Sequence, residues 1–160
     1  MYSTLKPMVT RPLETMSGLP LATAKAMVDA GRRSAREQRL APLGFCILDR
    51  AGTIVTAQNE DGGTLLRFEL AFAKAWGCLG LGHSTRYFKD VLAKQRPEML
   101  GAVQSISNGR FLAEYGGVLL RDADGEVVGA LGVAGAAQDS DDEAVAVAMV
   151  AGTGLKADLS

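Results

Sequence analysis

The chain has 160 residues, 48% of them hydrophobic and 22% charged, with a formal net charge of −1. This is the length of one domain with enough apolar content for a single core. The near balance of charge argues against a basic nucleic-acid surface and an acidic tail, and no apolar run reaches the ~18 residues of a membrane span.

Residues 1–18, "MYSTLKPMVTRPLETMSG", hold Pro7 and Pro12 and show neither an apolar period nor the continuous apolar core of a secretory signal. They predict an extended arm, loosely held or clasping a partner subunit, ahead of a domain over 19–160, in a cytoplasmic protein. Next, "LPLATAKAMVDAGRRSAREQRL" places Leu21, Ala24, Met27, Val28, Ala35 and Leu40 near helical period, with Arg32, Arg33, Arg36, Glu37 and Arg39 on the wet side. Pro42 and Gly44 close that helix. "GFCILDRAGTIVTAQ" predicts a hairpin, with Asp49 to Gly52 as the turn. "NEDGG" (59–63) is a loop, and the Leu, Phe and Ala-rich helix after it runs out near Gly80 and Gly82.

"STRYFKDVLAKQRP" predicts a shorter helix capped by Ser84 or Thr85 and stopped by Pro97, and "AVQSISNG" (102–109) a short strand. "GGVLLRDADGEVVGALGVAG" predicts a second hairpin turning at Asp122 to Gly125. Ser140, Asp141 and Asp142 offer N-caps for a last helix, whose positive end suits the early acids. The order predicts an α+β fold with one antiparallel sheet of four or five strands flanked by helices. Hairpins separated by helices argue against a parallel sheet.

The second hairpin is unusually rich in glycine. Gly125 belongs to the turn and Gly117 opens a strand, whereas Gly132 lies three residues from both Gly129 and Gly135, on the opposite face of a regular strand. Glycines on both faces leave room for a packed helix, a second subunit or a ligand.

Among polar groups, Lys74 sits mid-helix on a face with Arg67, Leu70, Ala71, Cys78 and Leu81. There it snorkels, forms an ion pair, or binds a carboxylate; a desolvated lysine is also a candidate base or nucleophile. Arg67 and Arg110 are candidate anion holders. Glu60 and Asp61, in the glycine loop, suit a proton-transfer pair, a weak metal site with loop carbonyls, or plain turn and helix-end chemistry. His83 is the one histidine, a candidate base or a loop residue at the Ser84 helix start. Asp139, Asp141, Asp142 and Glu143 fit helix capping. Trp76 and Tyr115 suit packing or an interface. Cys46 and Cys78 stand alone in apolar surroundings and predict buried thiols. Nucleophile-elbow, P-loop and dinucleotide fingerprints are missing.

"LDRAG", "EDGG", "AFAKAWG", "GGVLLRDADGEVVGALGVAG" and "DDEAVAVA" together resemble the GlcG/HbpS family, related to the C-terminal domain of PduO-type proteins. The resemblance spans about Leu21 to Ala151. It implies a five-stranded antiparallel sheet in a profilin-like layout, assembly into dimers or larger homo-oligomers, and heme or another tetrapyrrole as ligand. Within it, Lys74, Arg67, Gly117, Gly132 and Gly135 become candidate ligand contacts, and His83 the candidate metal ligand. Asn59 and Glu60 stand where the family often has Arg-Met, Leu119 where a proline commonly follows, and Ala134 where a serine does. Three readings follow: a small-ligand-binding protein of the GlcG/HbpS type; a cofactor-free isomerase, lyase or hydrolase acting on a small carboxylated or aromatic metabolite through Lys74, Glu60, Asp61 and His83; and a non-catalytic assembly subunit. Whether the chain is an enzyme stays open at this point.

Overall fold

The computed structural model of the protein describes residues 18–160, so the expected arm lies, but for Gly18, outside the described residues. Helix α1 (Leu21–Glu37) leads into strands β1 (Gly44–Asp49) and β2 (Ile54–Asn59), then helix α2 (Arg67–Leu81). A helical segment α3 over 85–95 follows, interrupted by a π-helical turn at Phe88–Leu92. Helix α4 (Pro97–Ile106), strands β3 (Gly117–Arg121) and β4 (Val127–Ala134), helix α5 (Asp139–Val150) and strand β5 (Lys156–Asp158) complete the chain.

The strands form one antiparallel sheet in the order β2-β1-β4-β3-β5. Helices cover both faces, which is why β1 is buried along nearly its whole length instead of alternating. Phe45, Ile47, Val118, Leu120, Leu131 and Val133 point to one face, against Ala24, Met27 and Val28 of α1 and Val145, Ala146 and Met149 of α5. Cys46, Leu48, Leu119 and Ala130 point to the other, against Ala71, Ala75 and Cys78 of α2.

Both hairpins turn by the same device. Asp49 Oδ1 accepts the Ala51 and Thr53 N–H groups, and Asp122 Oδ1 those of Asp124 and Glu126. Gly52 and Gly125 take the left-handed conformation at φ 82° and 86°.

The segment expected as a strand at 102–109 is instead the end of α4 and its cap. Pro97 sits at the helix start, where its fixed φ favours the helix. Met99, Leu100 and Val103 then fall on one face and pack toward Phe88 and Phe111. Asn108 and Gly109, at φ 53° and 75°, end the helix left-handed. Pro97 therefore opens a helix; the break after α3 lies at Arg96 (φ −143°, ψ 65°). Ser84 is the N-cap of α3, accepting the Tyr87 N–H. It also ties down the C-terminus, since its hydroxyl donates to Leu159 O and its N–H to Ser160 O.

The last helix starts earlier than its expected caps. Gln138 is the N-cap, without a side-chain capping bond, and Asp139 is already helical. Its acids have other partners, described below. No helix among the described residues is long and apolar enough to cross a membrane.

Candidate functional site

Helix α2 carries two of the candidate residues, Arg67 and Lys74, and the sheet beneath it is floored with small residues. A Cβ on Gly132 would lie 2.0 Å from Ala71 O, and one on Gly117 would lie 2.7 Å from Lys74 O and 3.0 Å from Cys78 Sγ. Gly117 and Gly132 are direct partners across β3 and β4. Helix backbone fills the room these two glycines make. Gly129, on the other face, is closed over by Leu48 O and Leu19.

Lys74 lies in this packed layer with its side chain only 4% exposed. Its Nζ donates to Asp142 Oδ2 at 2.8 Å and to Val133 O at 2.9 Å. Asp142, also 4% exposed, accepts the Ala136 N–H at 2.9 Å through Oδ1. The lysine is thus one half of a buried ion pair that joins α2, β4 and α5.

At the other end of the layer, Gly135 (φ 135°) would place a Cβ 2.9 Å from Arg67 Nε. That Nε is buried and has no hydrogen-bond partner among the described residues. Glu60 is nearby in the fold but occupied: its carboxylate accepts the Leu43 N–H at 2.9 Å and pairs with Arg36 at 2.7 Å and Arg32 at 3.8 Å. Asp61 is exposed in the turn. His83 is placed past the far end of α2, roughly 20 Å along a 15-residue helix from Arg67. Arg67 and Gly135 are brought together; Glu60, Asp61, Lys74 and His83 do not converge on one point.

The His83 ring is partly exposed and stacks on Tyr87, with centroids 3.9 Å apart and planes 12° from parallel. Its Nδ1 is buried and has no hydrogen-bond partner among the described residues. An orphaned buried polar atom forgoes about 1–3 kcal/mol of solvation and calls for an explanation. Two residues before His83, Leu81 lines an apolar groove of about 210 Å³ between α2 and α4, with Trp76, Met99, Val103 and Ile106. The Arg110 guanidinium carbon lies 4.7 Å from the centre of the Trp76 ring, at the side of this groove.

A charged network pins α3 to α5. Arg86 pairs with Glu143, Lys89 with Glu114 and Asp139, and the Tyr115 hydroxyl donates to Asp90 at 2.7 Å. Burial works to raise the Asp139 carboxyl. Hydrogen bonds with Glu114, Lys89 and the Tyr115 N–H outweigh it and hold the group at about 2. The hydrogen bond to Asp90 raises Tyr115 above the ordinary phenol range. Sequence reading assigned Asp139 and Glu143 to capping because their partners are far away in the chain.

The two thiols are free and buried. Burial pushes Cys46 up to about 12 and Cys78 higher still. Both are expected to resist a thiol-modifying disulfide at pH 8 in the native state and to react at once in denaturant. Rapid labelling of the native protein would contradict their burial.

The family described as "Haem degrading protein HbpS-like" matches residues 19–151. The chain belongs to the HbpS-like family. The crystal structure of a PduOC–heme complex superposes with a TM-score of 0.73 at 25% identity, covering 83% of this chain and 93% of that one. HbpS itself gives a TM-score of 0.72 at 25% identity, covering 89% and 96%. A curated relative, an uncharacterized 15.0 kDa protein encoded in the dhaT–dhaS intergenic region of Citrobacter freundii, is 27% identical over 128 residues, 80% of this chain and 87% of its own. The five-stranded sheet and flanking helices that the GlcG/HbpS resemblance implies are found in this chain, which superposes on these two solved structures.

Proposed function

We propose that the chain is a heme-binding protein of the HbpS-like family and that His83 supplies an axial nitrogen. The observation that carries this reading is the state of His83: the only histidine in the chain, partly exposed, with its imidazole stacked on Tyr87. An iron-ligating histidine usually donates its other N–H to an acceptor that fixes the ring. Among the described residues no acceptor does so for Nδ1, and the Tyr87 ring stacked on the imidazole holds its orientation instead.

The surroundings suit a flat, apolar, anionic ligand. Trp76, Leu81, Met99 and Ile106 offer an apolar wall, and Arg110 offers a cation for a carboxylate. The groove, at about 210 Å³, is smaller than the ~300–1,000 Å³ typical of pockets that enclose a ligand. A macrocycle therefore lies partly outside it, and a second subunit is the natural second wall. A bound heme supplies a redox-active iron; this chain's residues bind it, orient it and shield one face from water.

Hemin titration of the purified protein is expected to give a saturable Soret shift. His83→Ala is expected to remove the histidine-ligated spectrum and weaken binding at least tenfold, with the thermal midpoint of the protein unchanged within a few degrees. An identical spectrum from His83→Ala would remove His83 from the iron.

A further inference from the structure

Cations drawn out of water in this fold come with a carboxylate, with one exception. Among the described residues, the lysines and arginines that are not exposed are Arg67, Lys74, Lys89 and Arg121. Lys74 pairs with Asp142, Lys89 with Glu114 and Asp139, and Arg121 with Asp158. Arg67 is in no ion pair among those residues, and its buried Nε lacks an acceptor there. A charged donor taken out of water needs an acceptor to offset its lost hydration. The acids at this end of the fold do not serve it. Glu60 is committed to the Leu43 N–H and Arg36, and Asp142 to Lys74 and the Ala136 N–H. Asp61 and Glu69 are exposed.

Backbone holds the Arg67 side chain in place of an acid. A Cβ on Gly44 would lie 2.9 Å from Arg67 Cβ, and one on Gly63 3.3 Å from its Cγ. One on Gly135 would lie 2.9 Å from Nε and 3.0 Å from Cζ. Pro42 O bounds the same space, 2.8 Å from that Gly135 position, yet it is not placed to accept from Nε. Stem and fork are thus positioned by packing, and little further freedom is lost when an anion binds. The residue is partly exposed, which leaves an approach from solvent. Arg67 also opens α2, whose N-cap Leu66 supplies no side-chain acceptor, so the positive end of the helix adds to the guanidinium.

We propose that Arg67 anchors a carboxylate-binding site where β1 begins and β4 ends, walled by Gly44, Gly63 and Gly135. A carboxylate is flat, carries one charge against one guanidinium, and matches the fork with two parallel hydrogen bonds. The space left between backbone walls favours this head group over a bulkier tetrahedral phosphate. Two sources share the chemistry: a small carboxylate from solution, and Glu14, the one acid in residues 1–17. The site lies roughly 20 Å along α2 from His83 and stands independently of heme binding.

The test uses the full chain at constant ionic strength, replacing chloride with acetate, benzoate or phosphate. The Arg67 Nε–H resonance and the thermal midpoint are followed together. Acetate or benzoate is expected to move the resonance saturably and to raise the midpoint by at least 2 °C. Arg67→Lys keeps the charge without the fork and is expected to weaken this binding at least tenfold. Arg67→Met is expected to abolish it. A response that appears only in Glu14→Gln identifies Glu14 as the carboxylate that the parent holds on Arg67. A midpoint rise of the same size in Arg67→Lys would overturn the proposal, as would no response in either the parent or Glu14→Gln. Tighter binding of phosphate than of either carboxylate would overturn the assigned class.

Discussion

Gly132→Ala is expected to destabilise the protein by ~3 kcal/mol or more, at the upper end of overpacking effects. The added Cβ would meet Ala71 O at 2.0 Å, with Ala75 N at 2.9 Å behind it. Carbon and carbonyl oxygen rarely approach closer than ~3.3 Å, so α2 must move outward by roughly 1.3 Å. Helix backbone is the obstacle, and no side-chain rotamer change relieves it. The same shift would disturb Gly117, which sits beside Gly132 under the same helix. Two other glycines act as controls. Gly125 has φ 86° with nothing near its missing Cβ, so Gly125→Ala loses only the ~1–2 kcal/mol of a left-handed alanine. Gly101 lies in α4 with open space around it, so Gly101→Ala gains ~0.5–1 kcal/mol of helix propensity. Urea midpoints should rank the three in that order. A Gly132→Ala midpoint equal to the parent's would mean that α2 does not sit this close to the sheet.

The same three glycines show what was legible in the sequence. Turn glycines announce themselves locally: Asp49 and Asp122 each stand three residues before a glycine, and both hairpins form there as expected. The α+β class and the antiparallel sheet follow from those turns and the helical periods between them. Room for a packed helix was one of the readings of Gly132 and is what the structure shows; which helix was not legible, because the atoms it makes room for belong to Ala71 and Ala75, some 60 positions earlier. Helix α4 was misread for a related reason. Val103 and Ile106 favour strands locally, but Val103 and Leu100 have a helical partner surface in Phe88 and Phe111 that no local window contains. Strand β5 is three residues long and exists only because β3 pairs with it.

The candidate site was legible as a set of residue types and hardly at all as a set of contacts. His83 could be named from its uniqueness, but not its Tyr87 stack, although the i, i+4 spacing permits one. For Glu60, proton transfer stood beside turn chemistry and its ion pairs went unseen, because Arg32 and Arg36 lie on another element. Asp142 was the one discoverable omission. Val145, Ala146 and Met149 follow it at helical spacing and are buried on one face, so Asp142 stands on an apolar stripe and not on a wet end. A carboxylate there requires a buried cation, and Lys74 poses the matching question on α2.

Lys74→Met is accordingly expected to cost ~3–5 kcal/mol of stability, the range for breaking a buried ion pair from one side. The substitution keeps much of the stem and leaves the Asp142 carboxylate 4% exposed without a counter-charge. It also strips Val133 O of the ammonium donor at the end of β4. Asp142→Asn should do comparable harm by stranding the ammonium, despite its matching shape. Read from sequence, Lys74 as a ligand contact predicts weakened binding of about 1.5–3 kcal/mol with little loss of folding. Burial with Asp142 predicts the reverse, a large loss of folding and unchanged hemin affinity in whatever fraction stays folded at low temperature. Denaturant melts and a hemin titration on the same variant separate the two roles. The double variant Lys74→Met/Asp142→Leu sharpens the result. Replacing both charges with apolar side chains is often neutral, whereas the Ala136 N–H would lose its acceptor at ~1–3 kcal/mol. The double variant should therefore be more stable than Lys74→Met alone, and the cycle should return a coupling well above the ~0.5 kcal/mol scatter of independent sites. Additive losses, each below about 1 kcal/mol as for an exposed pair, would show that the ammonium reaches water and that the pair does not hold α2 to α5.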